Sequence, residues 1–157
     1  MFYKRRTQTK VTTAMIKIGK NISGFSTYSC QPRTKKELQD IIKSRVDKEG
    51  PNCDLNDIDV SLITDMSSMF AYSLFNGDIS KWDASNVNDM WGMFQYSLFD
   101  GDISDWNVSN VRDMSRMFKY SCFKHDISKW NIREDCDTYY IFHECPIKEE
   151  YKPKLPK

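Results

Sequence analysis

The sequence has few side chains of the kinds that catalyse reactions, and their spacing does not match known catalytic motifs. The chain has two histidines, His125 and His143. In His143-Glu144-Cys145 a base lies near a thiol, but adjacent residues of one short coil rarely share a face. The sequence contains no nucleophile elbow, phosphate loop or H-E-x-x-H motif. We therefore expect no enzymatic activity, no catalytic residue and no cofactor.

The spacing of the cysteines and acidic residues does not match known metal-binding motifs either. The five cysteines show neither CxxC nor zinc-type Cys/His spacing and are typical of free thiols in a reducing compartment: Cys30, Cys53, Cys122, Cys136 and Cys145. Asp78, Asp102 and Asp126 recur in register, which raises calcium as an alternative. A calcium loop needs several oxygen ligands within one turn, whereas these acids recur one per coil. We expect no metal site.

The strongest pattern is an internal repeat, the usual signature of stacked architectures. The segment Asp65-Met66-Ser67-Ser68-Met69-Phe70 recurs at residues 89–94 and 113–118, an offset of 24 each time. A degenerate copy covers Asp137–Cys145, and a partial one begins near Asn52. Three further sets keep the same offset: Trp82, Trp106 and Trp130; Phe75, Phe99 and Phe123; Ile79, Ile103 and Ile127.

The repeat resembles the BspA-type leucine-rich-repeat family, in the variant that reads roughly F-N-x-D-I-S-x-W-D-V-S-N-V-x-D-M-S-x-M-F. The matching stretches are Phe75–Phe94 and Phe99–Phe118. The resemblance covers about residues 52–145 and implies a right-handed solenoid with a strand in each coil. Many family members are surface proteins, so a surface or adhesion role is one alternative function that the resemblance implies.

Physical reasoning supports stacking, because a single coil cannot bury its aromatic face alone. We interpret Ile79-Ser80-Lys81-Trp82 as a short strand with Ile79 and Trp82 inward, paired with neighbouring coils at about 4.8 Å. Asp65 and its repeats should cap a short helix. The predicted fold class is an α+β repeat protein, a right-handed leucine-rich-repeat-like solenoid of about four 24-residue coils.

Caps are expected at both ends. Thr34-Lys35-Lys36-Glu37 is a capping box that predicts a helix over about 35–49, ended by Gly50-Pro51. One or two strands should precede it between Lys10 and Tyr28. The predicted organisation is a basic N-terminal cap over 1–51 with strands and a helix, solenoid repeats over 52–145, and a C-terminal cap with a mobile Lys/Pro tail over 146–157.

Positions that vary between coils are free for recognition. Trp91 replaces a small polar residue, and Trp, Tyr and Arg are frequent interface anchors. Alternatively, Trp91 folds back on Tyr72 or Tyr120 and fills space. We predict a protein-binding module, for example a small inhibitor or adaptor such as a phage- or mobile-element-encoded inhibitor of a bacterial defence complex. The predicted protein-binding residues are Trp91, Gln95, Arg112, Arg116, Lys119, Tyr139 and Tyr140.

The uneven distribution of charge raises nucleic-acid binding as an alternative function. Residues 1–50 carry 12 Lys/Arg against 4 Asp/Glu, and residues 51–137 carry 7 against 15. The basic region either binds nucleic acid or neutralises the acidic repeats. Because the start lacks a secretory signal and no long apolar run crosses a membrane, we expect a cytoplasmic protein. The candidate nucleic-acid-binding residues are Lys4, Arg5, Arg6, Lys10, Lys17, Lys20, Arg33, Lys35 and Lys36.

Overall fold

A computed structural model describes residues 28–156 of the chain. The strands predicted before Tyr28 lie outside the described residues. Helix α1 spans Lys35–Glu49, and a short 3₁₀ helix spans Glu149–Tyr151. Within residues 28–156 the repeats contain only isolated parallel bridges, such as Asp65 with Asp89, and no extended strand. No described helix combines the length and apolar character needed to cross a bilayer.

Helix α1 occupies the residues that the capping box predicted. The Thr34 hydroxyl accepts a hydrogen bond from the Glu37 N–H (3.2 Å), and the Glu37 carboxylate accepts one from the Arg33 N–H (2.7 Å). Leu38 and Ile42 are buried against the repeats. The helix ends where the Gly50 N–H donates to the Val46 carbonyl oxygen with a φ of 91° at Gly50, a left-handed region that glycine adopts without a side-chain penalty.

Main-chain hydrogen bonds hold successive repeats together. We define rung 1 as residues 65–72, rung 2 as 89–96, rung 3 as 113–120 and rung 4 as 137–144. From rung 1, the N–H groups of Met66, Ser68, Phe70 and Tyr72 donate to carbonyl oxygens of rung 2 at 2.8–2.9 Å. The same four bonds join rung 2 to rung 3 and rung 3 to rung 4. Each rung therefore presents N–H donors on one edge and carbonyl acceptors on the other.

Each rung is a series of tight turns. The Met69 N–H donates to the Met66 carbonyl oxygen and the Ala71 N–H to that of Ser68, while Ser68 and Tyr72 have φ values of 53° and 56°. The Asp65 side chain accepts the Ser67 N–H at 2.8 Å. That bond closes a local turn, so the short helix predicted after Asp65 does not form.

The predicted strand at Ile79–Trp82 is also wrong. The Asp78 carboxylate accepts the Ser80 N–H at 2.9 Å, and the Trp82 N–H donates to the Ile79 carbonyl oxygen at 3.1 Å. Local side-chain and turn hydrogen bonds thus replace sheet pairing at these residues. Ile79 and Trp82 are nevertheless both buried, as predicted, because they lie on the same side of the turn.

The core is built from like residues stacked rung on rung. Phe70, Phe94, Phe118 and Phe142 form one ladder with ring centroids 5.6–5.7 Å apart. Phe75, Phe99 and Phe123 form a second ladder at 6.2–6.4 Å. The two ladders pack against each other, with Phe94 and Phe99 at 4.3 Å. These contacts bury apolar surface that no single repeat could bury alone.

The C-terminal segment packs on the repeats and does not match the mobile tail predicted from its Lys/Pro composition. Ile147 and Pro153 are buried. The Tyr151 carbonyl oxygen accepts the Ile127 N–H at 3.0 Å. Leu155 packs against the core. Apolar burial of Ile147, Pro153 and Leu155 therefore outweighs the disorder that the composition favours.

Candidate protein-binding surface

The stacked rungs place a row of exposed tyrosines outside the core. Tyr72, Tyr96 and Tyr120 stack at centroid distances of 4.9 and 4.7 Å. They are 73%, 43% and 40% exposed, respectively. All three have positive φ values of 54–56°. The exposures show that this tyrosine ladder lies on the surface, beside the buried phenylalanine ladder.

The ladder continues into rung 4. The Tyr120 ring meets the His143 ring edge-on at 5.3 Å, and His143 lies 4.8 Å from Tyr140. Tyr140 in turn lies 4.1 Å from Tyr139. We call the connected set the aromatic surface; its members are Tyr72, Tyr96, Tyr120, Tyr139, Tyr140 and His143. The set spans all four rungs without a break in ring contact.

Four of the seven predicted binding residues come together at one end of this surface. The Lys119 Nζ lies 5.2 Å from the Tyr140 ring and 5.4 Å from the Tyr120 ring, close enough for a cation–π interaction. The Arg116 N–H donates to the Tyr139 carbonyl oxygen at 2.9 Å. Lys119, Tyr139 and Tyr140 thus form one cluster, and Arg116 is joined to it through the main chain.

Among residues 28–156, the other three predicted residues make no ring contact or side-chain hydrogen bond with that cluster. Trp91 is 38% exposed and, among residues 28–156, makes no ring contact with Tyr72 or Tyr120. Trp91 therefore does not stack on either tyrosine ring. Gln95 is half-buried, and its carbonyl oxygen accepts the Tyr72 N–H. Arg112 is exposed.

Sequence reasoning missed the tyrosine ladder. The 24-residue register predicts which residues serve folding, and only positions that vary between coils are predicted to serve recognition. Yet Leu74 and Phe75 are adjacent apolar residues, and only Phe75 is buried; Leu74 is 69% exposed. Such an adjacent pair cannot point inward together in a tight turn. That pattern, repeated at Leu98-Phe99, could have indicated an exposed apolar stripe beside the tyrosines.

The His143 and Cys145 side chains do not contact each other; each has other partners. The His143 Nε2 lies 3.4 Å from the Tyr120 hydroxyl, whereas the Cys145 thiol contacts the Phe123 carbonyl oxygen (3.3 Å) and the Ser121 hydroxyl (3.6 Å). Burial raises the pKa of the Cys145 thiol, which keeps it protonated at neutral pH. A protonated thiol is a poor nucleophile and a poor metal ligand.

The repeated acids serve the fold. Asp78, Asp102 and Asp126 each accept the N–H of the serine two residues later at 2.9 Å. Hydrogen bonds from the main-chain N–H groups of Ser80 and Ser104, and from the side chain and N–H of Ser128, lower the pKa of each carboxyl. Within the described part of the chain no three His, Cys, Asp or Glu side chains converge as metal ligands would.

The described candidates for nucleic-acid binding are partly neutralised. Lys35 Nζ lies 2.9 Å from the Asp65 carboxylate and 2.5 Å from the Ser67 hydroxyl, which ties α1 to rung 1. Lys36 pairs with Asp40 on the same helix, and Arg33 is exposed. The remaining candidates lie outside the described residues: Lys4, Arg5, Arg6, Lys10, Lys17 and Lys20.

Stacked 24-residue units behind a capping helix define a repeat protein. The chain belongs to the family described as "Mycoplasma protein of unknown function, DUF285", whose model matches residues 38–152. That match begins within α1 and covers all four rungs. No curated protein and no solved structure matches the chain.

Proposed function

We propose that this chain is a non-enzymatic protein-binding module and that a partner protein docks on the aromatic surface. One observation carries the proposal: five tyrosines and a histidine form a connected row on the outside, while the phenylalanines and most tryptophans pack inside. Contiguous exposed apolar surface of this kind is typical of interaction sites.

The chemistry of the surface favours protein over single-stranded nucleic acid. Neighbouring ladder rings are less than 5 Å apart, so their shared faces are closed to intercalating bases, which nucleic-acid platforms need for stacking. Ring edges and phenol hydroxyls remain available. Tyrosine and arginine are common at the centres of protein interfaces, and Arg116 and Lys119 adjoin the tyrosines. A solenoid arrangement of the rungs, which we also propose, would hold these side chains rigidly for an inhibitor or adaptor.

Capture from a native lysate by the immobilised full chain tests the proposal. The surface variant carries Tyr96→Ser, Tyr120→Ser and Tyr139→Ser. The matched control carries Lys81→Ser, Asp105→Ser and Lys129→Ser, three exposed positions that also recur every 24 residues. We expect the surface variant to lose a protein that the control and wild type retain. Equal capture by all three, or nuclease-sensitive capture of nucleic acid alone, would overturn the proposal.

A further inference from the structure

Two half-buried basic side chains of the described residues lack an anionic partner. Arg116 and Lys119 are half-buried, yet neither forms an ion pair with a carboxylate of residues 28–156. The half-buried lysines and arginines of this range that do form ion pairs are Lys35, Arg45, Arg133 and Lys152. The other unpaired lysines and arginines of this range are all exposed: Arg33, Lys48, Lys81, Arg112, Lys129 and Lys154. Because partial burial of a charge is costly without a counter-charge, Arg116 and Lys119 need a separate explanation.

A single turn of rung 3 holds both residues. The Lys119 N–H donates to the Arg116 carbonyl oxygen at 3.1 Å. The Lys119 Nζ lies over the Tyr120 and Tyr140 rings, and ring faces attract its charge. Neither the guanidinium nor the ammonium group donates a hydrogen bond to an oxygen of residues 28–156. The hydrogen-bonding capacity of both groups is therefore available to a ligand.

The fold itself does not require positive charge at these two positions. The equivalent residues are Ser68 and Ala71 in rung 1, and Gly92 and Gln95 in rung 2. Those rungs make the same main-chain hydrogen bonds with neutral side chains. Arg116 also has a φ of 59°, in the left-handed region that favours the glycine present in rung 2. Folding alone therefore does not account for Arg116.

The acidic side chains of the chain do not supply the missing anion. The Asp113 and Asp137 carboxylates flank rung 3 and close their own turns, each accepting the N–H two residues later at 2.8 and 2.9 Å. The residues outside the described range, 1–27 and 157, include no Asp or Glu. The carboxylate that would complement Arg116 and Lys119 is therefore not a side chain of residues 1–157.

The surrounding charge favours an anion of limited extent. Residues 51–137 carry 7 Lys/Arg against 15 Asp/Glu, so a long polyanion such as a nucleic-acid backbone meets repulsion along most of the repeats. One or two carboxylates can approach the two cations alone. A guanidinium group binds a carboxylate through two parallel hydrogen bonds. The exposed Tyr139 and Tyr140 rings beside the cations suit apolar side chains next to that carboxylate.

We infer that the partner protein docks with an acidic segment, and that an Asp or Glu carboxylate of this segment accepts hydrogen bonds from Arg116 and Lys119. Apolar side chains of the same segment lie on Tyr139 and Tyr140. This inference rests on the proposed function and names the chemistry of the partner. A phosphoryl group on the partner would use the same cations, and the experiment separates these two sources of the anion.

A zero-length crosslink tests the contact in the wild-type full chain. A carbodiimide joins a lysine amine to a carboxylate only where the two touch, and mass spectrometry of the product captured from native lysate identifies both residues. We expect Lys119 to be joined to an Asp or Glu of a partner protein, and the exposed, unpaired Lys81 and Lys129 not to be. No such product from Lys119, or one only with a second copy of this chain, would overturn the inference.

A matched pair of variants separates this inference from the proposed function. Arg116→Gly with Lys119→Gln introduces the residues that rung 2 has at these positions, and Lys81→Gln with Lys129→Gln removes the same charge elsewhere. We expect the first variant to capture at least about tenfold less partner than the second. Equal capture by these two variants overturns the inference alone if the tyrosine-to-serine surface variant still loses the partner, and overturns both proposals if that variant retains it.

Phosphatase treatment of the lysate distinguishes the two anions. We expect capture of the partner to be unchanged after treatment, because a carboxylate is not a phosphatase substrate. Loss of capture after treatment would assign the anion to a phosphoryl group and contradict the inference.

Discussion

The indole N–H of Trp106 donates a hydrogen bond to the carbonyl oxygen of Ile79, 3.2 Å away in the preceding repeat. Trp82 and Trp130 make the same bond to the carbonyl oxygens of Leu55 and Ile103. Each buried tryptophan thus satisfies its polar atom while its ring fills the core, as buried indoles must. The tryptophans therefore couple neighbouring repeats through both packing and hydrogen bonding.

Trp106→Ala should be far more damaging than Trp91→Ala. Trp106 is 4% exposed and packs against Phe94, so its loss should cost about 3–5 kcal/mol. Trp91 is 38% exposed, and its loss should cost about 0.5 kcal/mol. Urea unfolding of both variants measures the difference. Equal losses would place Trp91 in the core.

Gly77→Ala should destabilise the protein more than Gly101→Ala. A Cβ at Gly77 would lie 2.0 Å from the Cys53 carbonyl oxygen, a backbone atom that cannot move alone. A Cβ at Gly101 would meet the Phe99 ring at 2.8 Å and a backbone oxygen only at 3.4 Å. We expect Gly77→Ala to cost about 1–3 kcal/mol or more. Thermal melts of the two variants check the order, and the reverse order would contradict it.

Acid should destabilise the fold through the turn carboxylates. The pKa values of Asp78, Asp102 and Asp126 are lowered from their ordinary value of 3.8. A carboxyl with a lowered folded-state pKa contributes stability that is complete above its unfolded pKa and lost as the pH falls through the folded pKa. The free energy of unfolding should therefore be level near neutral pH and decline below about pH 4.

Asparagine at these three positions should weaken that decline. Asn107 already closes an equivalent turn, with its side-chain oxygen accepting the Ser109 N–H at 3.2 Å. The variant with Asp78→Asn, Asp102→Asn and Asp126→Asn should fold at neutral pH and lose less stability on acidification than wild type. Urea midpoints near pH 7 and near pH 3 measure both effects. An unchanged acid loss would mean that other groups control it.

Tyr96→Ser should alter binding more than folding. Tyr96 stacks between Tyr72 and Tyr120, and an aromatic pair contributes about 0.5–1.5 kcal/mol. Because two exposed pairs are lost, we expect a decrease of about 1–2 kcal/mol in unfolding free energy, below that for Trp106→Ala. A loss as large as that of Trp106→Ala would assign the tyrosine ladder to the core.

The 24-residue period predicted much of the fold. It identified the phenylalanine ladders and the three buried tryptophans, because a residue that must contact the equivalent residue of the next repeat is constrained to recur. The period did not predict two features of the structure. Ser80 and Lys81 form a turn because the Asp78 carboxylate accepts the Ser80 N–H, and the order of apolar and polar residues at 79–82 does not reveal that local hydrogen bond. Tyr96 recurs and yet lies outside, because stacking on the surface also enforces recurrence.

The main-chain bonds between rungs were beyond sequence reasoning for a different reason. The Met66 N–H donates to the Asp89 carbonyl oxygen, and such a bond involves no side chain and so does not depend on residue type. By contrast, Thr34 and Glu37 indicated the start of α1 because helix capping depends on side chains.

Site-specific photo-crosslinking tests the central claim, that the aromatic surface binds a protein, most directly. The full chain carries p-benzoylphenylalanine at Tyr96, Tyr120 or Tyr139, or at the exposed control position Asp105, and is irradiated in native lysate. We predict one protein crosslinked from all three tyrosine positions and not from Asp105. Crosslinking of that protein from Asp105 alone, or of no protein from any tyrosine position, would contradict the account.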